Sequence, residues 1–114
     1  MPKAGDRVLA KWPAEDDWWY PAVICWAEGS RIEVQFDDGD RASLDSWQVR
    51  PLMIGEGSRV FGRWHGGPYY YPGTVSIQRG DAIHIEYEDG DREWTVVSLV
   101  RIHRADLPAA SEMN

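Results

Sequence analysis

The sequence predicts an all-β protein built from two small, five-stranded antiparallel barrels in tandem, packed together. Its 114 residues leave room for one ordinary domain or two very small ones. Three observations favour two: a sequence unit occurs twice, each copy alternates apolar and polar residues as short strands do, and no stretch shows apolar residues at helical spacing.

The internal repeat has a period of about 50 residues. Residues 5–12 (GDRVLAKW) recur 52 positions later as residues 57–64 (GSRVFGRW). A one-residue deletion then changes the offset to 51, so that Phe36 corresponds to Tyr87. Self-similarity at this period indicates a duplicated structural unit. We therefore predict one barrel over residues 5–52, a second over residues 57–104, and a disordered tail over residues 105–114.

Each unit reads as five strands separated by Gly, Pro and Asp turns. The predicted strands lie near residues 7–12, 19–26, 31–36, 41–44 and 49–51, and in the second unit near 59–64, 70–77, 82–87, 92–96 and 100–102. A short 3₁₀ turn is expected after the fourth strand of each unit. Because units this small bury a modest fraction of their surface, we expect Leu52, Met53 and Ile54 at a contact between them.

The charge balance restricts the class of partner. Nineteen acidic residues outnumber twelve Lys and Arg, for a formal charge of −7. Such a chain repels phosphate backbones, so nucleic acid is a disfavoured partner and a basic protein segment a favoured one. No apolar run reaches the roughly 20 residues of a membrane span, so no membrane partner is expected. We expect a monomer.

Residue patterns for catalysis and metal binding are absent. The single cysteine, Cys25, lies within a predicted strand, and no intramolecular disulfide can form. No phosphate-binding loop or metalloprotease motif is present. The histidines show no spacing typical of metal ligands: His65, His84 and His103. We predict a protein that is not an enzyme and needs no metal or other cofactor.

One stretch in each unit combines a turn with an aromatic ring and carboxylates. Phe36-Asp37-Asp38-Gly39 and its counterpart Tyr87-Glu88-Asp89-Gly90 each follow an alternating strand, and Asp-Gly is a hairpin signal. In an antiparallel meander, the ends of neighbouring strands lie close enough to enclose a small pocket. Three rings and a carboxylate suit a methylated ammonium, because the ring faces attract cations. The first predicted cage comprises Trp12, Tyr20, Phe36 and Asp38, and the second Trp64, Tyr71, Tyr87 and Asp89.

These residues carry a resemblance to Tudor domains over nearly the whole chain, from Gly5 to Arg104. The resembling segments are Ala10-Lys11-Trp12, Tyr20-Pro21 and the aromatic-Asp-Asp-Gly turn, with their repeats; the second unit is especially similar to the lamin-B receptor Tudor domain. The pairing is similar to tandem Tudor methyl-lysine readers. The resemblance implies SH3-like barrels that read methylated lysine or arginine on histone-like tails, with the two cages as binding sites. Some tandem readers have an aromatic after the turn Gly, where this chain has Asp40 and Asp91. We expect Asp40, Asp91 and Tyr69 to flank the cages.

Several alternatives stay open at this level. Trp12 and Trp64 could belong to the cores, and packing or interface roles are favoured for the tryptophans without a repeat partner: Trp18, Trp19, Trp26 and Trp47. Tyr69 and Tyr70 could flank the second cage. The acidic loop 15–17 beside the first cage would attract Lys and Arg.

Two other functional classes compete with methyl-lysine reading. One is nucleic-acid binding by stacking aromatics. The other is a structural scaffold with degenerate cages. Localisation depends on the source: nuclear in a eukaryote and cytoplasmic in a prokaryote.

Overall fold

The structure, a computed structural model, describes residues 2–107 and contains ten strands and four 3₁₀ turns. The first five strands are β1 (Arg7–Lys11), β2 (Trp18–Glu28), β3 (Arg31–Phe36), β4 (Arg41–Asp45) and β5 (Val49–Pro51). The second five are β6 (Arg59–Arg63), β7 (Tyr70–Arg79), β8 (Ala82–Tyr87), β9 (Arg92–Val96) and β10 (Val100–His103). The 3₁₀ turns cover Ser46–Gln48, Trp64–Gly66, Val97–Leu99 and Arg104–Asp106.

Both units have the same antiparallel strand order. In the first, the neighbours run β5-β1-β2-β3-β4, and in the second β10-β6-β7-β8-β9. Among the described residues, no ladder joins β4 to β5 or β9 to β10; a 3₁₀ turn connects each pair instead. The long second strand bends at a bulge in both copies, at Cys25 in β2 and Ser76 in β7. The predicted all-β duplicated fold is therefore confirmed.

Strand β10 joins the units into one ten-stranded sheet. It pairs with β6 of its own unit, with Arg101 opposite Phe61, and with β2 of the first unit, with Ile102 opposite Trp19. On β2, strand β3 pairs only from Ala22 onward. Strand β10 thus pairs with the start of β2, along the part of that strand that β3 does not reach.

Two hydrophobic clusters form the interior. The first contains Val8, Ala10, Ala22, Ile24, Ile32, Val34, Phe36 and Leu44. The second is centred on the later strands but also includes Leu9 and Trp19 from the first unit. Because successive residues of a strand point to opposite faces, β1 places Val8 and Ala10 in one cluster and Leu9 in the other. The units are packed together through this shared strand.

Two details differ from the sequence prediction. Leu52 and Ile54 pack on the second cluster as expected, whereas Met53 is exposed. The chain predicted to be disordered after Arg104 is also structured as far as Leu107. Ala105 and Asp106 lie in a 3₁₀ turn, which the His103 ring caps by accepting a hydrogen bond from the Ala105 N–H. Leu107 then packs on the second cluster. The rest of the predicted tail, 108–114, lies outside the described residues. Within residues 2–107, no helix is long and apolar enough to cross a membrane.

Candidate functional site

The two Asp-Gly turns have the same hydrogen-bond pattern. In the first, the Phe36 N–H donates to the Asp40 carbonyl, and Gly39 has a positive φ of 100°. The Asp38 Oδ1 accepts from the Asp40 N–H at 3.0 Å, and in the second turn Asp89 Oδ1 accepts from the Asp91 N–H at 2.9 Å. One carboxylate oxygen thus fixes each turn. Within residues 2–107, no side chain or backbone N–H hydrogen-bonds the other oxygen of Asp38.

The three predicted rings of the first cage lie together. Ring centroids are 6.1 Å apart for Trp12 and Tyr20, 5.1 Å for Trp12 and Phe36, and 6.3 Å for Tyr20 and Phe36. Interplanar angles of 62–90° make every pair edge-to-face. Trp12 follows β1, Tyr20 lies in β2, and Phe36 ends β3. Phe36 is buried in the first cluster, while Trp12 and Tyr20 are half-buried, so Phe36 forms the floor and the others the walls.

These rings border an open cavity of about 320 Å³ with an acidic rim. The lining residues are Trp12, Glu15, Tyr20, Pro21, Phe36, Asp37, Asp38, Asp40, Arg63, Tyr70 and Ser98. All four predicted residues of the first cage are present, and so is the predicted flanking residue Asp40. Of the acidic loop, only Glu15 lines the cavity; Asp16 and Asp17 pair with Lys11 and Arg104.

The adjacent acids Asp37 and Asp38 have different environments. Asp37 accepts two hydrogen bonds from Arg7, at 2.6 and 2.8 Å, and a third from Ser98 at 2.6 Å. The Arg7 hydrogen bond is the largest effect on the pKa of Asp37 and holds it below its usual 3.8, against the opposing effect of burial. Asp38, with one oxygen held by the turn, is the carboxylate free to meet a ligand.

The second unit contributes three residues to the first cavity, Arg63, Tyr70 and Ser98, and none of them was predicted to lie there. A position beside the second cage was one of the alternatives left open for Tyr70, but its ring lies 6.5 Å from that of Tyr20, at 76°, beside the first cavity. Burial raises the pKa of Tyr70, which is half-buried. Arg63 donates through Nε to the Gly67 carbonyl at 2.7 Å. These residues of the second unit reach the first cavity because β10 pairs with β2 and so holds the two units side by side.

The second cage has a smaller cavity, and one of its ring faces is covered. Its cavity of about 190 Å³ is lined by Trp64, Tyr71, Tyr87, Asp89 and Asp91, so all four predicted residues and the flanking Asp91 are together. Trp64 and Tyr87 are edge-to-face at 5.6 Å. However, His65 stacks on Trp64 at 4.0 Å and covers one ring face.

The other two rings of the second cage, Tyr87 and Tyr71, also differ from their counterparts in the first. Tyr87 is buried like its counterpart Phe36, but its hydroxyl donates to Glu93 at 2.6 Å, a contact that Phe36 cannot make. Tyr71 is 43% exposed and forms no ring contact with Trp64 or Tyr87 within the described chain. The second cavity therefore presents fewer accessible ring faces to a cation than the first.

The other singled-out aromatics divide into buried and exposed. Trp19 is buried between the units and Trp18 packs edge-to-face on Phe61, so both have the expected interface role. Trp26 and Trp47 are 49% and 66% exposed, so the expected packing role is not seen for them. Tyr69 is 69% exposed and lines neither cage. Across residues 2–107, no group of three or more His, Cys, Asp or Glu could hold a metal ion.

Comparison with known proteins identifies the architecture. Residues 4–52 match the family described as the Tudor domain of the DNA repair protein Crb2. The crystal structure of the Crb2 tandem tudor domains superposes with a TM-score of 0.66 at 18% identity, covering 97% of this chain and 91% of that one. This structural match spans both units of the chain.

Two further structures are less similar. Arabidopsis thaliana AGDP1 AGD34 has a TM-score of 0.46 at 14% identity, covering 90% of this chain and 83% of that one. The ADCP1 tandem Agenet domain 3-4 has a TM-score of 0.44 at 14% identity, with 90% and 81% covered. No curated protein sequence matches the chain.

The first unit belongs to the Tudor family, and the whole chain has the tandem Tudor fold. The prediction from the repeated Trp, Tyr-Pro and aromatic-x-Asp-Gly elements is confirmed at this level. Domains of this type are generally non-catalytic binding modules.

Proposed function

We propose that this protein is a non-catalytic module that binds a methylated lysine or arginine on a basic, histone-like protein tail, using the first cage. The observation that carries the proposal is the cluster of Trp12, Tyr20 and Phe36, whose rings meet edge-to-face beside one acidic cavity. A cation seated over this cluster lies within the roughly 6 Å range at which a ring face attracts charge.

The chemistry of the cavity favours a methylated cation over a plain one. Methylation lowers the cost of removing water from the ammonium, and aromatic rings replace that water with their negative faces. Each such contact contributes roughly 0.5–2 kcal/mol. An unmethylated lysine retains its strong hydration and gains less from the same rings.

The acidic rim adds a preference among methyl states. Asp38 can accept a hydrogen bond from the N–H that a mono- or dimethyl ammonium keeps and a trimethyl ammonium lacks. Glu15 and Asp40 lie on the same rim and attract flanking Lys and Arg. The open cavity and few contacts correspond to weak binding, about 1 μM to 1 mM. A histone-like partner would place the protein with chromatin.

The test is a titration of one basic peptide in un-, mono-, di- and trimethyl-lysine forms, together with dimethylarginine forms. Binding is followed by NMR through the indole N–H signals of the tryptophans. We expect the Trp12 signal to shift with dimethyl-lysine at concentrations where the unmethylated peptide has no effect. Equal response to all forms, or a response confined to Trp47 and Trp26, contradicts the proposal.

Trp12→Ala and Trp64→Ala form a matched pair, because the two residues are equivalent in the repeat. We expect Trp12→Ala to weaken dimethyl-lysine binding at least tenfold and Trp64→Ala to change it less than threefold. Because Trp12 also packs on the first cluster, circular dichroism must show that the variant is folded. A folded Trp12→Ala variant with unchanged affinity would falsify the assignment. If the variant unfolds, Asp38→Asn replaces it, since Asn can still accept the turn hydrogen bond.

A further inference from the structure

We propose that the first cage is a joint site of the two units, in which Tyr70 is a fourth ring contacting the ligand and Arg101 positions Tyr20 and Tyr70. This inference rests on the proposed function. It extends that function because both residues belong to the second unit, and Arg101 does not line the cavity.

Tyr70 has the geometry of a cage wall. Its ring borders the same cavity as Asp38 and Asp40 and lies near-perpendicular to that of Tyr20, at 6.5 Å. It is half-buried, so part of the ring is available to a ligand. The residue after the turn glycine is Asp40, which supplies charge but no ring face. Tyr70 therefore supplies an aromatic surface that the first unit does not contain.

Arg101 connects the two walls. Its guanidinium carbon lies 3.6 Å from the Trp18 ring centroid and 4.1 Å from that of Tyr70, so the planar group stands against both rings. Its Nη1 donates to the Tyr20 hydroxyl at 2.9 Å. One side chain thus contacts Tyr70 through its π face and Tyr20 through its oxygen. A planar guanidinium can do both at once, whereas the point charge of lysine cannot.

The sheet explains why Arg101 is held in this place. Its backbone pairs with Phe61 of β6, and the next residue, Ile102, pairs with Trp19 of β2. Arg101 therefore lies at the point where β10 passes from one unit to the other. The Arg101 Nε is buried and finds no hydrogen-bond partner within the described residues. The Tyr20 hydrogen bond and the ring contacts are then what orients the group.

Tyr70 and Tyr71 provide an internal control. They are consecutive in β7, so their side chains point to opposite faces, and each lines a different cavity. We expect Tyr70→Leu, which keeps apolar packing but removes the ring, to weaken dimethyl-lysine binding at the first cage about 5- to 20-fold. Tyr71→Leu should change it less than twofold.

Arg101→Lys keeps the charge and tests the positioning role. We expect the ratio of unmethylated to dimethyl-lysine Kd to fall at least threefold, and the Tyr20 ring signals in the free protein to shift, at an unchanged fold. Arg104→Lys, an exposed neighbour paired with Asp17, is the control and should do neither. A purely structural role would lower the melting temperature without changing the ratio between methyl states.

The outcomes separate the two proposals. If the unaltered chain binds dimethyl-lysine but folded Tyr70→Leu binds equally well, Tyr70 is not a wall and the joint site is wrong, while the proposed function stands. Unchanged selectivity and Tyr20 signals in Arg101→Lys overturn the positioning role in the same way. Absence of methyl-dependent binding by the unaltered chain overturns the proposed function, and the joint site with it.

Discussion

Arg7 in the first strand holds Asp37, thirty residues later, through two parallel hydrogen bonds of 2.6 and 2.8 Å. Ser98 of the second unit adds a third at 2.6 Å. Asp37 thus ties the cage turn to its own barrel and to the neighbouring unit. The equivalent pair in the second unit, Arg59 and Glu88, has a single 2.6 Å contact on a more exposed carboxylate.

Asp37→Asn should lower the free energy of unfolding by about 1–2 kcal/mol at neutral pH. This value is in the lower part of the range for hydrogen bonds between charged groups, because Arg7 is partly exposed and solvent weakens the interaction. The folded-state pKa of Asp37 is lowered from 3.8, chiefly by the Arg7 hydrogen bond. Its contribution is therefore fully present above pH 3.8 and is lost as pH falls below that value. Denaturant unfolding at several pH values measures this. The same change in an Arg7→Gln background is the control and should have a smaller effect, because the Arg7 hydrogen bonds are already lost.

Asp38→Asn should instead change ligand preference. Asn keeps an oxygen for the Asp40 N–H but removes the negative charge beside the rings. A partly exposed charged hydrogen bond of about 1 kcal/mol corresponds to roughly fivefold in affinity. We expect weaker mono- and dimethyl-lysine binding with little change for trimethyl-lysine, measured by calorimetry. A uniform loss for all three forms would show that Asp38 attracts charge without reading the N–H.

Gly62→Ala should be strongly destabilising, because a Cβ there would lie 2.6 Å from the Tyr87 hydroxyl and 2.9 Å from Ile85 Cδ1. The equivalent residues of the first unit are Ala10 and Phe36. That unit thus has a methyl group where the second has none, and it lacks the hydroxyl with which the methyl would collide. We expect a cost of about 1–3 kcal/mol for Gly62→Ala. The double variant Gly62→Ala with Tyr87→Phe should recover part of it.

A double-mutant cycle by thermal or denaturant unfolding measures this coupling. Recovery will be incomplete, since Tyr87→Phe also removes the hydrogen bond to Glu93. Strictly additive effects of the two changes would contradict the proposed complementarity between Gly62 and the Tyr87 hydroxyl.

Tyr87 should ionise well above the ordinary pKa of a tyrosine in alkaline solution. Burial raises its pKa most, followed by the hydrogen bond to Glu93 and that residue's negative charge. Below the unfolded pKa of about 10 its contribution to stability is fully present, and it is lost as pH rises through the higher folded value. Phenolate absorbance should show a late component that Tyr87→Phe removes. Tyr69→Phe, at an exposed site, should leave that component in place.

The repeat and the alternation of residues were enough to predict the strands of each unit. Strands β3, β5, β8 and β9 have the predicted bounds, because each alternates and ends at a strong turn signal. The rings of the first cage also follow from the sequence, since Trp12, Tyr20 and Phe36 lie at strand ends that a meander brings together. Local pattern is sufficient here because these contacts lie within one unit.

The relationship between the units could not be derived in this way. Comparing the copies aligns Trp19 with Tyr70, but it does not show that Trp19 is buried in the second cluster while Tyr70 lines the first cavity. Leu9 packs in the second cluster. In the alternation of β1 it shares a face with Arg7 and Lys11, and that pattern alone predicts a face turned to solvent.

One partial signal was available. Four tryptophans have no Trp at the matching repeat position, and two of them, Trp18 and Trp19, lie at the contact between the copies, whereas Trp26 and Trp47 are exposed.

The pairing of β10 with β2 has a consequence for the order of assembly during synthesis. Residues 5–52 leave the ribosome first, yet the start of β2 gains its second neighbour only when Ile102 and His103 have emerged. Until then Trp19 lacks most of its cluster and Tyr20 lacks Arg101. Contacts between residues so distant in sequence form late. Until the last strand has emerged, a nascent first unit would therefore lack the contacts that Arg101 and Ile102 make with it.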